Sequence, residues 1–535
     1  MTRGLVRKLL PRLRVRAGVP GVPAHLRDDR LPVRPTAQQL HDAAAAVESR
    51  DSRNADELAA LLLAVDRDGD PGLVAGTGQL LLRAHPRVWL TLDVAARRVW
   101  WRAPRWSAVA VRRLSQGESS PLGLTLAAFH PDGHVREAAV ARLAGLHDAL
   151  AVPALTLRSC DWVPQVRDRA RSALEHRLAE PSTALLVAAL ALALGERREG
   201  RWPADRIETV FREGPAELLT AALAAPNLRT RRAAHLTALA AGRLDLAYML
   251  HAAEHDGDLL TRIRCAEAAV KTAVAAKTVD AVRPLLSSST AVVRAEAVHA
   301  LAQGGDLTPA VAALADRSPI VRAVAQTALR HAGSEPVEHY RRLVMAALPE
   351  PGAIAGLGET GTADDAGLIP SWLDHPQPRG RAEAVRALRR LGAADPDTLS
   401  AMLTDPSGAV TRQVTITLRP WASRLDLPRL RELLTASNPQ HIRTAAYRLL
   451  HERNTWTRLL IDLELVTDPS PSMRGRARSD IAAWLTREAA TTYSMPQGRT
   501  ADALTRHLRD AEDVLDADQV RLLRFHLGLK PRSTA

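Results

Sequence analysis

Four short stretches of this 535-residue chain carry residue types at spacings that chemistry uses. "GLGETG" (356–361) has the GxGxxG letters of a phosphate-cradling loop, which needs a strand before it and a helix opening after it. An alanine-rich helical stretch precedes it instead, so its glycines read as ending that helix and shaping a turn. "HAAEH" (251–255) sets His251 and His255 on one helix face, as zinc peptidases require. Nothing downstream marks a third ligand, and a solvated helix is the preferred reading. "DRDGDPG" (66–72) opens like a calcium loop, but Pro71 stands where glycine is needed and Thr77 where the bidentate glutamate belongs. It reads as a turn. His130 and His134 flank "HPDGH" and are expected to be solvated. No Ser/His/Asp or Cys/His set can be assembled, so no catalytic residue, cofactor or metal ligand is expected.

The fifth stretch is "RRVWWRAPRW" (97–106), with three of the ten tryptophans and four arginines. Interleaved basic and aromatic residues can stack on bases and hold phosphates. They can equally be turns of a packed helix. Composition frames the choice. Hydrophobic residues make up 46% of the chain and aromatics 3%, which favours helices over strands. Cys160 and Cys265 are too few for a disulfide framework, which suggests a reducing cytoplasm. No apolar run reaches membrane-span length, and the basic N-terminus does not read as a signal peptide. The net charge is +13, and residues 1–34 hold nine basic and two acidic side chains, a net of +7.

The elements that must position these residues come from an internal repeat. Arg381, Arg412, Arg443 and Arg474 recur every 31 residues, each after a polar turn and before a small or apolar residue. The same signature stands at Arg136, Arg167, Arg231, Arg264, Arg294 and Arg322, and one further step back reaches Arg105. Each unit reads as a short first helix, a turn and a longer second helix. In "AGLIPSWLDHPQPRGRAEAVRALRRLG" (366–392), Asp374 is placed to cap and Gly392 to terminate. One such pair cannot bury both faces, so pairs must stack into a right-handed all-α solenoid of about fourteen helix pairs.

This pattern resembles HEAT repeats, in particular the short kind also seen in bilin (phycobilisome) lyases, over roughly residues 55 to 490. The resemblance implies a ladder in which the turn aspartate and second-helix arginine interact. Here the pairs would be Asp161 with Arg167, Asp258 with Arg264, Asp316 with Arg322, Asp374 with Arg381, Asp405 with Arg412, and Asp468 with Arg474. Arg412 is expected to be buried on the Asp405 turn. At Arg294 and Arg443, serine replaces the aspartate. Three parts are expected: a basic flexible arm (1–34), the solenoid (35–500) and a helical cap and tail (501–535).

The expected function is a non-catalytic cytoplasmic scaffold that binds another macromolecule, foremost a protein, on its concave surface. The alternative is nucleic-acid binding through the arm and basic second helices. A lyase-like enzyme rests on fold analogy alone. Trp106, at a position usually small or polar in other repeats, is the expected exposed contact. Arg386, Arg389 and Arg390 form the basic cluster of one second helix. Arg7, Lys8 and Arg12 belong to an arm that is either a plain tail or a tether to nucleic acid or an anionic membrane surface. The indoles of "RRVWWRAPRW" are expected to cover the end of the array, and the "GERREGRWPADR" loop (195–206) to be its weakest joint.

Overall fold

The computed structural model describes residues 35–49, 54–68, 70–195 and 199–529. Arg7, Lys8 and Arg12 lie outside the described residues. Two compact units divide between Ala269 and Val270. Each is an all-α stack of helix pairs, a solenoid construction, with its own buried core.

Proline explains many of the helix starts. Pro71, Pro86, Pro104, Pro121, Pro164 and Pro181 open helices in the first unit, and Pro319, Pro336, Pro351, Pro378, Pro396 and Pro471 in the second. The first helical position needs no N–H, and the fixed φ suits it. Gly392 (φ 72°) closes Pro378–Arg390. The short first helix before it is tighter than the sequence suggests. It forms two 3-10 segments, Ala363–Leu368 and Pro370–Asp374, because Pro370 denies an α-helix its hydrogen bond. The charged loop near 200 is also shorter than expected, since a helix runs Arg201–Glu213.

The repeats are joined by arginine. In seven turns the guanidinium reaches back six residues to a backbone carbonyl. Arg136 donates to His130 (3.0 Å), Arg167 to Asp161 (3.3 Å) and Arg231 to Ala225 (3.0 Å). Arg294 donates to Ser288 (2.8 Å), Arg322 to Asp316 (2.8 Å), Arg381 to His375 (2.9 Å) and Arg474 to Asp468 (2.6 Å). The charged partner belongs to the following repeat. Arg136 is bidentate on Asp161, Arg294 on Asp316 and Arg381 on Asp405, and Arg443 pairs with Asp468. Asp161, Asp316 and Asp468 are thus held twice, the carboxylate by one repeat and the carbonyl by its own. Each also accepts the N–H two residues on.

This differs from the expected pairing within one repeat, and the six-residue reach explains the exceptions. Six residues beyond Asp405 stands Thr411, which is buried, so Arg412 points outward and its side chain makes no hydrogen bond among the described residues. His441 from the next repeat takes the Asp405 carbonyl instead (3.1 Å). Before Arg381 the turn residue is buried His375, and Asp374 is exposed. Arg322 finds Glu359 (3.1 and 2.5 Å). Arg232, not Arg231, is bidentate on Asp258 (3.0 and 2.6 Å) and holds that carboxyl at about 2. Arg264 is exposed and pairs locally with Glu267, and Arg105 is exposed in the first turn of Pro104–Gln116.

Candidate protein-interaction surface

The expected contact residue is not where contact could occur. Trp106 is buried at 8% exposure. Arg113, seven residues on and so on the same helix face, covers its ring at 5.0 Å. A large ring gains more from this packing than a small residue would, so the position's usual polarity is a poor guide. Trp100 is also buried and donates to the Leu126 carbonyl (3.2 Å), while Trp101 is 66% exposed. Arg97, from the same stretch, pairs with Asp93 (2.9 Å). Its guanidinium and that of Arg136 both lie 4.3 Å from the ring centre of Trp162, which is 59% exposed. Burial first, then Arg158 and Arg136 against the pull of Asp93, moves Arg97 below the usual arginine range. Trp162 thus roofs a buried charge network and presents an indole to solvent.

The arginine cluster of Pro378–Arg390 is largely engaged. Arg386 donates to both oxygens of Glu383 (2.9 and 2.8 Å), and Arg390 reaches Glu359 (3.3 Å). Arg389 is half-buried beside Thr417. Burial, then Arg386 and Arg390, moves Arg389 below its ordinary range. A second basic grouping was not singled out from the sequence. Burial, then Arg476, Arg412 and Arg419, moves Arg448 below its ordinary range, with Arg412 and Arg476 coming from the second helices on either side.

The motifs resolve into packing. Residues 356–360 of "GLGETG" lie inside Pro351–Thr360, and Gly361 caps its C-terminal end as expected. A Cβ on Gly356 would sit 2.1 Å from the Tyr340 ring, and one on Gly358 2.6 Å from the Ala387 Cα. The glycines therefore permit close helix approach. His251 and His255 stack at 4.6 Å in the helix Leu246–His255. Asp70 caps Pro71–Arg83 through the N–H groups of Gly72 and Leu73. His130, expected to be solvated, is buried: its Nδ1 accepts from Asp132 N–H (3.0 Å) and its Nε2 meets Ser107 (2.7 Å). His134 is exposed.

What the sequence did not announce is a groove in the first unit, about 1150 Å³ in volume. Its floor is the face of Pro86–Arg102 carrying Leu90, Thr91 and Val94. Leu192 and Ala193 end Pro181–Leu194 beside it, and Asn227, Leu228 and Arg229 begin the next wall. Val94 is 47% exposed and Leu228 44%. Arg87, Arg98 and Arg229 rim it. Arg98 is bound to Asp56, whereas Arg87 and Arg229 make no ion pair among the described residues. Val94 and Leu228 are 134 positions apart, and no local periodicity brings them together.

No known family matches the chain, and no curated protein does. Solved structures do. The karyopherin Kap121p bound to the extreme C-terminus of the protein phosphatase Cdc14p is 12% identical, over 92% of this chain and 72% of its own, with a TM-score of 0.28. Importin beta is 12% identical over 93% and 67%, with a TM-score of 0.31. UNC-45 from Drosophila melanogaster is 11% identical over 89% and 75%, with a TM-score of 0.17.

Proposed function

We propose that the protein is a non-catalytic, cytoplasmic scaffold of short HEAT-like repeats that holds an acidic, amphipathic segment of a partner protein in the groove of the first unit. The observation that carries this is the pair of solvent-exposed apolar side chains, Val94 and Leu228, between arginines free of ion pairs among the described residues, Arg87 and Arg229. Apolar side chains of the partner would cover Val94, Leu90 and Leu228, and its carboxylates would meet the arginine rim. A central apolar anchor within a charged rim is the usual anatomy of a binding surface. Trp162 and Trp101 offer further contact area.

The test is selection of short peptides from a random display library on the full chain. The expected binders combine Asp or Glu with Leu or Phe, and lose affinity on Leu228→Asp and on Arg229→Glu. Binders that are basic, or that ignore both substitutions, would sink the proposal.

A second reading, a phosphate-bearing polymer along the second unit, is favoured by Arg412 and Arg476 bearing on Arg448 from the flanking second helices. Titration of duplex DNA at several salt concentrations separates the two. This reading requires a steep fall of log affinity with log salt, flattened by Arg412→Ala and Arg448→Ala.

A further inference from the structure

In the second unit, three helices bring a mixed nitrogen and oxygen ligand set to one point. Tyr447 and His451 lie one turn apart on Gln440–His451, their rings 4.2 Å apart. Asp462 comes from Thr455–Leu465 and Asp480 from Pro471–Arg487. His451 Nε2 is 2.8 Å from Asp462 Oδ1. The ligand atoms of His451, Asp462 and Asp480 all lie within 4.8 Å of one another, and no other group of three or more His, Cys, Asp or Glu among the described residues does this. Asp462 is buried at 2% exposure, while the Asp480 side chain is 40% exposed, so the site opens to solvent on one side.

The hydrogen bonds do not close on their own. Tyr447 Oη is 2.6 Å from Asp462 Oδ1 and 2.6 Å from Asp480 Oδ2. Three oxygens at these distances need two hydrogens between them, and a phenol supplies one. The missing positive charge is either a proton or a cation. Imidazole nitrogen beside two carboxylates is the donor set for a cation of the Zn²⁺ or Mn²⁺ kind, whereas Mg²⁺ and Ca²⁺ favour oxygen alone.

We propose that His451, Asp462 and Asp480 bind one divalent transition-metal ion, Zn²⁺ foremost, with the fourth position open to water beside Asp480. Two carboxylates balance the ion's charge. Tyr447 is the outer partner that orients a ligating carboxylate. Arg476 stands 5.7 Å from the Tyr447 ring centre, and Arg419 is matched by Glu452. Because Gln440–His451 belongs to one repeat and the other two helices to the next, the ion would clasp neighbouring repeats together.

The test uses the full chain, stripped with EDTA and then equilibrated with ZnCl₂. The expected result is one Zn²⁺ per chain by metal analysis after equilibrium dialysis, and a melting temperature raised by Zn²⁺. His451→Gln and Asp480→Asn should each weaken binding by at least roughly a hundredfold, and Tyr447→Phe by roughly tenfold. His251→Gln, in the stacked surface pair, should change nothing. Absence of bound metal, unchanged stoichiometry in both ligand variants, or loss in His251→Gln would each overturn the site. If the ligand variants fail to fold, the visible absorption of the wild-type chain with Co²⁺ decides: bands of a four-coordinate ion support the site, and six-coordinate aqueous-type bands overturn it.

Discussion

Arg136 and Asp161 face each other through two parallel hydrogen bonds of 2.9 Å, and neither side chain has any exposed surface. The arginine lies on Gly133–Ala144, and the aspartate begins the turn of the following repeat. Arg158 shares the same carboxylate at 2.8 Å and also pairs with Asp93. The bond is therefore one rung of a buried network, closed to solvent by Trp162. A buried pair of this kind gains little over an apolar substitute, and losing Arg136 would leave Asp161 to Arg158 alone.

Arg136→Ala is expected to cost about 1–3 kcal/mol, because Asp161 keeps Arg158 while the His130 and Pro131 carbonyls and one side of the carboxylate lose their donor. Arg412→Ala, at the same place in the 31-residue period, should stay within about 0.5 kcal/mol because its side chain is exposed and unbonded among the described residues. Urea denaturation of the full-length variants measures both. Equal effects would mean that the repeat phase, rather than the six-residue reach, selects the rungs.

Gly356→Ala should destabilise by about 1–3 kcal/mol through overpacking, against the roughly 1 kcal/mol that alanine gains over glycine in a helix. Tyr340 cannot move aside easily, because it is fully buried and its hydroxyl donates to the Leu314 carbonyl (3.0 Å). Gly367→Ala, with no atom within 4 Å, is the comparison that should stay near neutral. Thermal melts of the two variants check this. An unaffected Gly356→Ala would remove the packing account of "GLGETG".

Cys265 should resist alkylation in the native chain. Burial, with Asp256 adding to it, pushes its thiol up to about 12, so little thiolate exists at neutral pH. Cys160 is half-buried and should react first. Iodoacetamide labelling followed by mass spectrometry gives the order, and faster reaction at Cys265 would contradict its burial.

The repeat was legible because it is written in local signals. Proline starts helices, glycine stops them, and arginine recurs at a fixed phase, so the all-α stacked architecture follows from nearest-neighbour rules. The ladder's partners were half legible. Sequence shows Asp161 six residues before Arg167, but only packing shows that the carboxylate turns to Arg136 while Arg167 takes the carbonyl. The surface was illegible for the same reason. Trp106 and Trp162 are equally tryptophan in the sequence, yet one is covered by an arginine seven residues along its own helix and the other stands out on a turn. Val94 and Leu228 share a groove only because Pro86–Arg102 meets residues from two later helices.

Acid should destabilise the chain in a window set by His130. Burial, together with Arg136 and against the pull of Asp132, lowers this imidazole from 6.5 to about 4. The native ring stays neutral, with Nδ1 accepting from the Asp132 N–H. The unfolded chain takes a proton near pH 6.5 that the native chain refuses until about pH 4. Stability from this group is therefore complete above 6.5, falls as pH drops, and by pH 4 is reduced by on the order of 3 kcal/mol. Asp258, held at about 2 by Arg232, begins to lose its contribution as pH falls to the ordinary carboxyl value of 3.8, where the unfolded chain takes the proton, and the loss is complete below about 2. Asp66, raised by burial, works in the opposite sense, so the His130 contribution must be taken as a difference. Urea denaturation from pH 7.5 to 4.5 should show a steeper loss for wild type than for His130→Gln, which has no titrating ring. Parallel slopes for the two proteins would show that the imidazole takes its proton in the folded state as readily as in the unfolded one.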